Sequence, residues 1–205
     1  GRMGRGEAAK KAMITNPGQL QKNVKRAMRK LLDKKLIDDN PMVVEQRQID
    51  FAWTIVDWRT FDPESPIKAF PGDAITKTPS ALELLVINLK NAPNSAVHYA
   101  CCCAIAYLSV RQDVRAALYE ATVGPLMEAL DLFVRRLEAT DHAGLRYAIC
   151  AIATELAKCE AGLVRLRDIN FAQALERLRQ KKMTKDPALE MIMDFLAAEL
   201  RPKIS

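Results

Sequence analysis

Three consecutive cysteines and a nearby histidine are the residues of this chain best suited to metal or redox chemistry. They lie in residues 98–108, which read HYACCCAIAYL. A cysteine thiolate can act as a nucleophile or as a metal ligand, and a neighbouring histidine can serve as its base or as a second ligand. His98 and Cys102 are four residues apart, which places them on one side of a helix.

Helical geometry argues against a shared site at the three cysteines. Successive residues of a helix are about 100° apart, so Cys101, Cys102 and Cys103 spread over about 200° and do not converge on one ion. A structural zinc site takes four converging ligands, usually from C-x-x-C pairs, and the sequence has no such pair. Free cysteine commonly packs as a small apolar group. We therefore predict that the three cysteines belong to the packed core of a helix, with a metal or Cys–His site as the alternative.

Other catalytic signatures are absent from the sequence. It contains no G-x-x-x-x-G-K-[ST], no G-x-G-x-x-G, no H-E-x-x-H and no G-x-S-x-G motif. The chain has 2 histidines, which is sparse for acid–base work. Carboxylate pairs such as Glu128 and Asp131 are common on any solvated helix face. We predict no catalytic residue, no metal site and no cofactor, and hence a protein that is not an enzyme.

The elements that position these residues are predicted to be helices. Capping residues stand directly before proline at Asn16-Pro17, Asn40-Pro41, Thr78-Pro79 and Asp186-Pro187. This pairing is typical of a helix start, because the cap accepts an unpaired N–H and proline has none to leave unpaired. Residues 61–78 read as a connection, and no convincing strand pattern occurs. The predicted helices are 17–37, 41–60, 79–91, 95–110, 112–121, 124–138, 142–158, 160–167, 169–181 and 187–200.

The sequence repeats itself at an interval of 48 residues. Shifting the chain by this distance aligns Tyr99-Ala100 with Tyr147-Ala148, then Cys102 with Cys150, Leu108 with Leu156, Leu118 with Leu166, Glu128 with Glu176 and Leu130 with Leu178. In each copy a long helix of small apolar residues precedes a short helix and a third helix. One such unit cannot bury its apolar faces alone, so neighbouring units are expected to stack into a continuous core.

The clearest copy of the pattern consists of Ala104-Ile105-Ala106-Tyr107-Leu108-Ser109, Arg115, Leu118, Val123-Gly124-Pro125-Leu126 and Leu130, and residues 152–178 repeat it less closely. This pattern resembles the armadillo repeat family and is partly shared by HEAT-like repeats. The resemblance covers residues 79–180. It implies an all-α fold, a right-handed α-solenoid of armadillo-like three-helix repeats with helical end caps, in which a concave groove holds a partner protein or peptide.

The domain organisation expected from this resemblance is an arm followed by one domain. Residues 1–16 form a basic flexible arm, and residues 17–205 form a single armadillo-like domain. Within it, residues 17–78 are an N-terminal cap and degenerate repeat, residues 79–180 are the best repeats, and residues 187–200 are a C-terminal capping helix.

The resemblance also implies where a partner binds. Peptide-clamping members of the family carry an asparagine near the end of each third helix. In the 48-residue register that position holds Tyr107 in one copy and Glu155 in the next. Because the clamping amide is missing, the groove is expected to be filled by the chain's own ends or by a folded partner. We predict that Tyr107, Arg111 and Glu155 line the partner-binding groove.

Basic charge is concentrated at the start of the chain. Residues 1–36 contain 11 basic and 2 acidic side chains within a total net charge of +6, so the remainder is mildly acidic. Residues 17–37 place apolar side chains on one side of a helix and a basic anchor on the other, formed by Lys22, Lys25, Arg26, Arg29 and Lys30. Such a segment contacts RNA, an anionic surface or an acidic protein face, or else is a solvated helix face.

Two functions are compatible with these observations. The first is a non-enzymatic protein-binding scaffold or assembly subunit that holds protein partners within a larger complex through its groove and end faces, anchored by the basic arm. The second is a nucleic-acid-associated, ribonucleoprotein subunit that contacts phosphates through residues 1–36. No apolar run is long enough for a transmembrane segment, and no secretion signal is seen. Free thiols are therefore expected, in a reducing intracellular compartment such as the cytoplasm or an organelle matrix.

Overall fold

All regular structure in the described part of the chain is helical. The computed structural model describes residues 46, 48–50, 52–53, 80–181 and 185–202. Its helices are α1 (Ala81–Asn91), α2 (Ser95–Leu108), α3 (Gln112–Glu120), a 3₁₀ helix (Pro125–Glu128), α4 (Ala129–Ala139), α5 (Ala143–Leu156), α6 (Glu160–Asp168), α7 (Phe171–Gln180) and α8 (Pro187–Leu200). The described residues between 46 and 53 are helical as well. The prediction of an all-α protein is confirmed for these residues, whereas the arm 1–16, the helix 17–37 and the connection 61–78 lie outside them.

Side-chain caps decide where the helices begin. The Ser80 hydroxyl accepts the N–H of Glu83, and the Glu83 carboxylate accepts the N–H of Ser80. This reciprocal capping box starts α1 at Ala81, two residues later than the predicted start at 79. The predicted start of α8 at Pro187 is confirmed. Asp186, directly before it, is the N-cap, and its carboxylate accepts the N–H groups of Ala188 and Leu189 in the first turn.

Three predicted helices are shorter or divided, for local reasons. Helix α2 ends at Leu108 rather than at 110, and the Arg115 guanidinium donates to the carbonyls of the two residues that follow it. The predicted helix 169–181 begins only at Phe171, because Asn170 has a left-handed backbone with φ of 57°. The predicted helix 124–138 is divided into a 3₁₀ turn and α4 after Gly124, whose φ is +75°.

Helix bounds recur at the interval seen in the sequence. Helices α4, α5 and α6 begin and end 48 residues after α1, α2 and α3, respectively. Helix α5 packs against both α2 and α8, α3 packs against α6, and α4 packs against α1 and α7. Most helices therefore lie beside their counterparts, and the three 14-residue helices α2, α5 and α8 are consecutive neighbours.

The leucines aligned by the repeat form the centre of the core. Each is at most 2% exposed: Leu108, Leu118, Leu130, Leu156, Leu166 and Leu178. Burying a side chain of this size contributes about 1.5–3 kcal/mol relative to exposing it. The leucines that the sequence repeat aligns are thus buried in both copies.

In both repeat copies, a buried polar side chain at the same position caps the C-terminal end of the preceding helix. The Nε2 atom of His98 lies 2.5 Å from the carbonyl oxygen of Ala92, the C-cap residue of α1. At the position 48 residues later, Arg146 donates to the carbonyl of Thr140, the C-cap residue of α4. Both side chains are buried. A buried carbonyl without a donor costs about 1–3 kcal/mol, so each copy satisfies its helix end in an equivalent way.

Candidate functional site

The cysteine stretch belongs largely to the core. Cys101 and Cys102 are fully buried, which confirms the packing prediction for these two residues. Burial raises the pKa of the Cys101 thiol to about 12 and also raises the pKa of Cys102. Protonated buried thiols are poor nucleophiles and poor ligands. Among the described residues, no group of three or more metal-ligating side chains is assembled.

The open sides of the long helices α2 and α5 occupy one set of positions. On α2 the residues that are not buried are Ser95, Ala96, Tyr99, Cys103, Ala106 and Tyr107. On α5 they are Ala143, Gly144, Tyr147, Ala151, Thr154 and Glu155, each 48 residues further on. Counted from the start of α8, the same positions hold exposed Pro187, Ala188, Met191, Phe195, Ala198 and Glu199. We call these three sets together the long-helix face.

The long-helix face is rich in large apolar side chains. Tyr107 is 42% exposed, Tyr147 45%, Met191 73% and Phe195 51%. Met191 and Phe195 are four residues apart on α8, and the three helices that carry these side chains pack side by side. Aromatic rings and methionine are enriched at protein interfaces, because they bury a large area at low conformational cost.

Tyr99 joins the faces of α2 and α5. Its ring is 4.9 Å from the ring of His142 and 6.2 Å from that of Trp53, measured between centroids. A Cβ atom on Gly144 would lie 3.0 Å from a ring carbon of Tyr99, so the ring rests on the first turn of α5. The Nδ1 atom of His142 accepts the N–H of Leu145 and caps that turn. The starts of α2 and α5 therefore lie together, and their open sides form one surface.

The three residues predicted to line the groove lie near the ends of α2 and α5. Tyr107 is exposed on the long-helix face. Arg111 precedes α3 and holds the Asp113 carboxylate with two hydrogen bonds of 3.0 and 3.1 Å. Glu155 is on the face, with Lys158 at 2.7 Å and Arg115 at 4.0 Å. Two of the three side chains thus form ion pairs within the chain, and their role in binding stays a prediction.

Sequence reasoning missed the other large residues of the long-helix face. Tyr147, Met191 and Phe195 were not predicted as site residues, although a signal for each was present. Tyr147 is the repeat counterpart of Tyr99, and Met191 and Phe195 are four residues apart in a helix with apolar residues on most sides.

The helices of the long-helix face lack amide side chains, and α8 is acidic. Helices α2, α5 and α8 contain neither asparagine nor glutamine. Helix α8 carries three carboxylates and no basic residue. Of these carboxylates, Asp194 pairs with Arg179, while Glu190 and Glu199 are exposed.

The basic anchor residues Lys22, Lys25, Arg26, Arg29 and Lys30 lie outside the described residues. Within the described part, no helix has the length and apolar character needed to cross a membrane.

Comparisons with protein-family models, with curated proteins and with solved structures found no match to this chain.

Proposed function

We propose that this protein is a non-enzymatic scaffold or assembly subunit that holds a partner protein on the long-helix face. The observation that carries the proposal is the exposure of Tyr107, Tyr147, Met191 and Phe195 on three helices that pack side by side. Contiguous apolar patches on soluble proteins commonly mark interaction sites. The paired charges of Arg111 and Glu155 then lie beside the apolar centre as a polar rim.

The architecture proposed with this function is a right-handed α-solenoid of armadillo-like repeats with helical end caps. It is supported by the recurring helix bounds, by the packing of counterpart helices and by the equivalent caps made by His98 and Arg146. Stacked repeats create an extended surface from equivalent helices, and such surfaces are used for protein binding. In this arrangement α2, α5 and α8 supply that surface.

Tyrosine is well suited to hold a protein partner here. Its side chain has two rotatable χ angles, so ordering it on binding costs little entropy, and its hydroxyl can hydrogen-bond at the margin of an apolar contact. Binding of this kind concentrates its energy in a few buried side chains. We expect Tyr107, Tyr147 and Phe195 to be those side chains.

The test compares partner capture by two triple variants of the full chain. The face variant is Tyr107→Ala, Tyr147→Ala and Phe195→Ala. The matched control is Val123→Ala, Met127→Ala and Val164→Ala, which removes three exposed apolar side chains elsewhere. Partners found by cross-linking and mass spectrometry are purified, and their affinity is measured by calorimetry.

The face variant is expected to bind its partner at least 10-fold more weakly than the unchanged chain, and the control is expected to bind normally. Both should keep the helical circular dichroism of the parent, since exposed substitutions change stability by about 0.5 kcal/mol or less. Equal affinity of the face variant and the control for every purified partner contradicts the proposal.

The alternative is a nucleic-acid-associated subunit, favoured by the 11 basic side chains of residues 1–36. It is tested by RNA binding of the full chain across salt concentrations. Phosphate contacts predict a steep loss of affinity with salt, and a variant with Lys22, Lys25, Arg26, Arg29 and Lys30 changed to alanine should have a shallower slope. Absence of RNA binding by the full chain removes this alternative.

A further inference from the structure

We infer that an exposed apolar stripe on α8 is a self-association surface, on which α8 of a second copy of this chain packs in antiparallel orientation. This α8 stripe consists of Ala188, Met191, Phe195 and Ala198. The inference concerns the chain by itself and does not rest on the proposed scaffold function. Where both hold, Phe195 serves one of them at a time, so a second copy and a partner protein compete for α8.

The α8 stripe lies on the side of its helix that is turned away from the body of the protein. The opposite side packs on α5, α6 and α7 and consists of the buried Leu189, Met193, Leu196 and Leu200. At 100° per residue, the centre of the stripe is about 150° around the helix from the centre of this buried side. Met191 is 73% exposed and Phe195 51%. A second molecule can therefore reach the stripe along its whole length.

The spacing of the α8 stripe is that of a seam between paired helices. Its four residues are separated by three, four and three positions, which is the spacing of alternating a and d positions in a coiled coil. Helix α8 has 14 residues, so the seam extends over two heptads. A seam of this spacing fits another α-helix that carries the same pattern, and a second copy of the chain brings one.

The order of side-chain sizes in the stripe permits antiparallel pairing. From either end the stripe is small, large, large and small. In an antiparallel pair, Ala188 lies opposite Ala198 of the second copy, and Met191 lies opposite Phe195. The alanines allow the two backbones to approach at both ends, and the thioether of methionine makes a favourable contact with an aromatic ring in the middle. The two surfaces are then self-complementary, as a two-fold dimer requires.

The charges at the two ends of α8 favour the antiparallel over the parallel orientation. Lys185 is exposed directly before the N-cap residue, and Glu199 is exposed in the last turn, beside the stripe. Antiparallel pairing brings each Lys185 to Glu199 of the other copy, which gives two equivalent ion pairs. It also places each Glu199 carboxylate near the positively polarised N-terminus of the opposite helix. A parallel pair would place like charges together at both ends.

The carboxylate nearest the middle of the seam is neutralised within its own chain. Asp194 lies beside the stripe, and in a two-fold pair it would approach its own counterpart. The Arg179 guanidinium of α7 donates to the Asp194 carboxylate. Each copy therefore brings an ion pair rather than a single negative charge to the middle of the contact, which limits repulsion there.

The area of the contact indicates a weak dimer. A helix of 14 residues is about 21 Å long, and one helix seam of this length buries less than the roughly 800 Å² per partner of a stable interface. Contacts below that size belong to transient complexes. We therefore expect the dimer to form in the micromolar range and to dissociate on dilution.

The experiment is sedimentation of the full chain at concentrations from about 1 to about 500 µM, a range that covers such weak contacts. The stripe variant is Met191→Ser and Phe195→Ser. The matched control is Met127→Ser and Val164→Ser, which changes side chains that are 47% and 43% exposed outside α8. The mass of the parent and of the control should rise from one chain toward two with concentration, and the stripe variant should dimerise at least 10-fold more weakly.

The orientation is tested at low salt with two charge variants, Lys185→Glu and Glu199→Lys. Each variant alone should dimerise at least threefold more weakly than the parent, because like charges then meet at both ends of the seam. An equimolar mixture should dimerise as well as the parent, since one copy carries two carboxylates and the other two amines. Single variants that dimerise as well as the parent, or a mixture no better than either variant alone, overturn the antiparallel arrangement.

Two further outcomes overturn the inference. A parent chain that stays monomeric at every concentration leaves the α8 stripe to a partner protein. A stripe variant that dimerises like the parent places self-association on another surface. The melting temperature of each variant shows whether it is folded, and if the stripe variant does not fold, the two charge variants and their mixture decide. Sedimentation involves no partner protein, so its failure is separate from failure of the scaffold proposal, which is decided by partner affinity.

Discussion

Side chains that could have formed a reactive site serve packing and capping in this protein. The ring of His98 meets the carbonyl of Ala92 at the end of α1, and Arg136 donates to the carbonyls of Leu89 and Lys90 in the same turn. Burial lowers the pKa of His98, the hydrogen bond to Ala92 partly opposes this, and the Arg136 charge lowers the pKa further. A neutral His98 is therefore the form that the folded protein prefers.

We expect the free energy of unfolding to fall as the pH is lowered through the histidine range. The folded pKa of His98 lies below the ordinary value of 6.5, so the unfolded chain binds the proton more readily. The contribution of His98 is complete above pH 6.5 and decreases as the pH falls from there toward the lowered folded value. Urea unfolding at pH 7.5, 6.5 and 5.5 measures this dependence.

The control for this prediction is His98→Gln, which retains a donor for the Ala92 carbonyl but does not titrate. Its stability should depend less on pH over the same interval. His142 is present in both proteins and cancels from the comparison. An unchanged pH dependence in His98→Gln would contradict the assignment of this effect to His98.

Thiol reactivity is expected to follow burial. Cys101, Cys102 and Cys150 are buried, and burial raises the pKa of each thiol. Cys103 and Cys159 are partly exposed, although burial raises the pKa of Cys103 as well. Alkylation of the native protein at pH 8, located by peptide mass spectrometry, should modify Cys159 and Cys103 before the other three. All five should react in urea. Native modification of Cys102 as rapid as that of Cys159 would show that the core opens readily.

At the scale of the helices, the two repeat copies are similar in length but not in every contact. The short helix α6 lies close to the end of α5, where a Cβ atom on Gly162 would be 1.9 Å from the carbonyl oxygen of Leu156. The sulfur of Cys159 accepts the N–H of Gly162 at 3.4 Å and caps α6. The counterpart of Gly162 in α3 is the buried Val114, so only the second copy needs a glycine here.

Replacing Gly162 with alanine is therefore expected to destabilise the protein by about 2–3 kcal/mol or more, because backbone atoms have to move to admit the methyl group. This outcome is the reverse of the usual gain from alanine in a helix. The control is Ala161→Gly at the exposed neighbouring position, expected to cost about 1 kcal/mol. Urea unfolding compares the two, and a more stable Gly162→Ala protein would contradict the tight packing of α6.

At the scale of the whole molecule, the last helix completes the core. Helix α8 packs against α5, α6 and α7, and it buries Leu189, Met193, Leu196 and Leu200. The Arg167 guanidinium also donates to the carbonyl of Leu200. Four buried side chains contribute about 1.5–3 kcal/mol each, which together approaches the total stability of a typical domain, about 5–15 kcal/mol.

A chain ending at residue 181 is therefore expected to lose cooperative thermal unfolding and to aggregate, because it exposes the side of α5 that α8 covers. The control is the full chain with Met191→Ser and Phe195→Ser, which changes exposed residues of the same helix and should melt within a few degrees of the parent. Calorimetry measures both transitions. A truncated chain that melts at the parent temperature would show that α8 does not contribute to the stability of the core.

The sequence alone predicts the helical class, the 48-residue interval and the core leucines. The reason is that buried residues of a helix recur as apolar residues at regular short spacing. The capping box at Ser80 is also local, but the Thr78-Pro79 pair before it predicts a start two residues too early. Of the predicted site, Tyr107 is exposed on the long-helix face, and the ion pairs of Glu155 and Arg111 could not be predicted from the spacing alone. The role of these three residues in binding stays a prediction.

The sequence by itself thus determined that the described part of this protein is built from helices and which faces of them are apolar. Only the tertiary structure decided which apolar positions stay open to solvent. Tyr99 and Tyr147 are equivalent in the repeat, yet Tyr99 rests on Gly144 and beside His142 while Tyr147 is 45% exposed. The physical reason is that exposure depends on the neighbouring helix, whose contacts join residues distant in the chain, whereas helical periodicity depends on residues three and four apart.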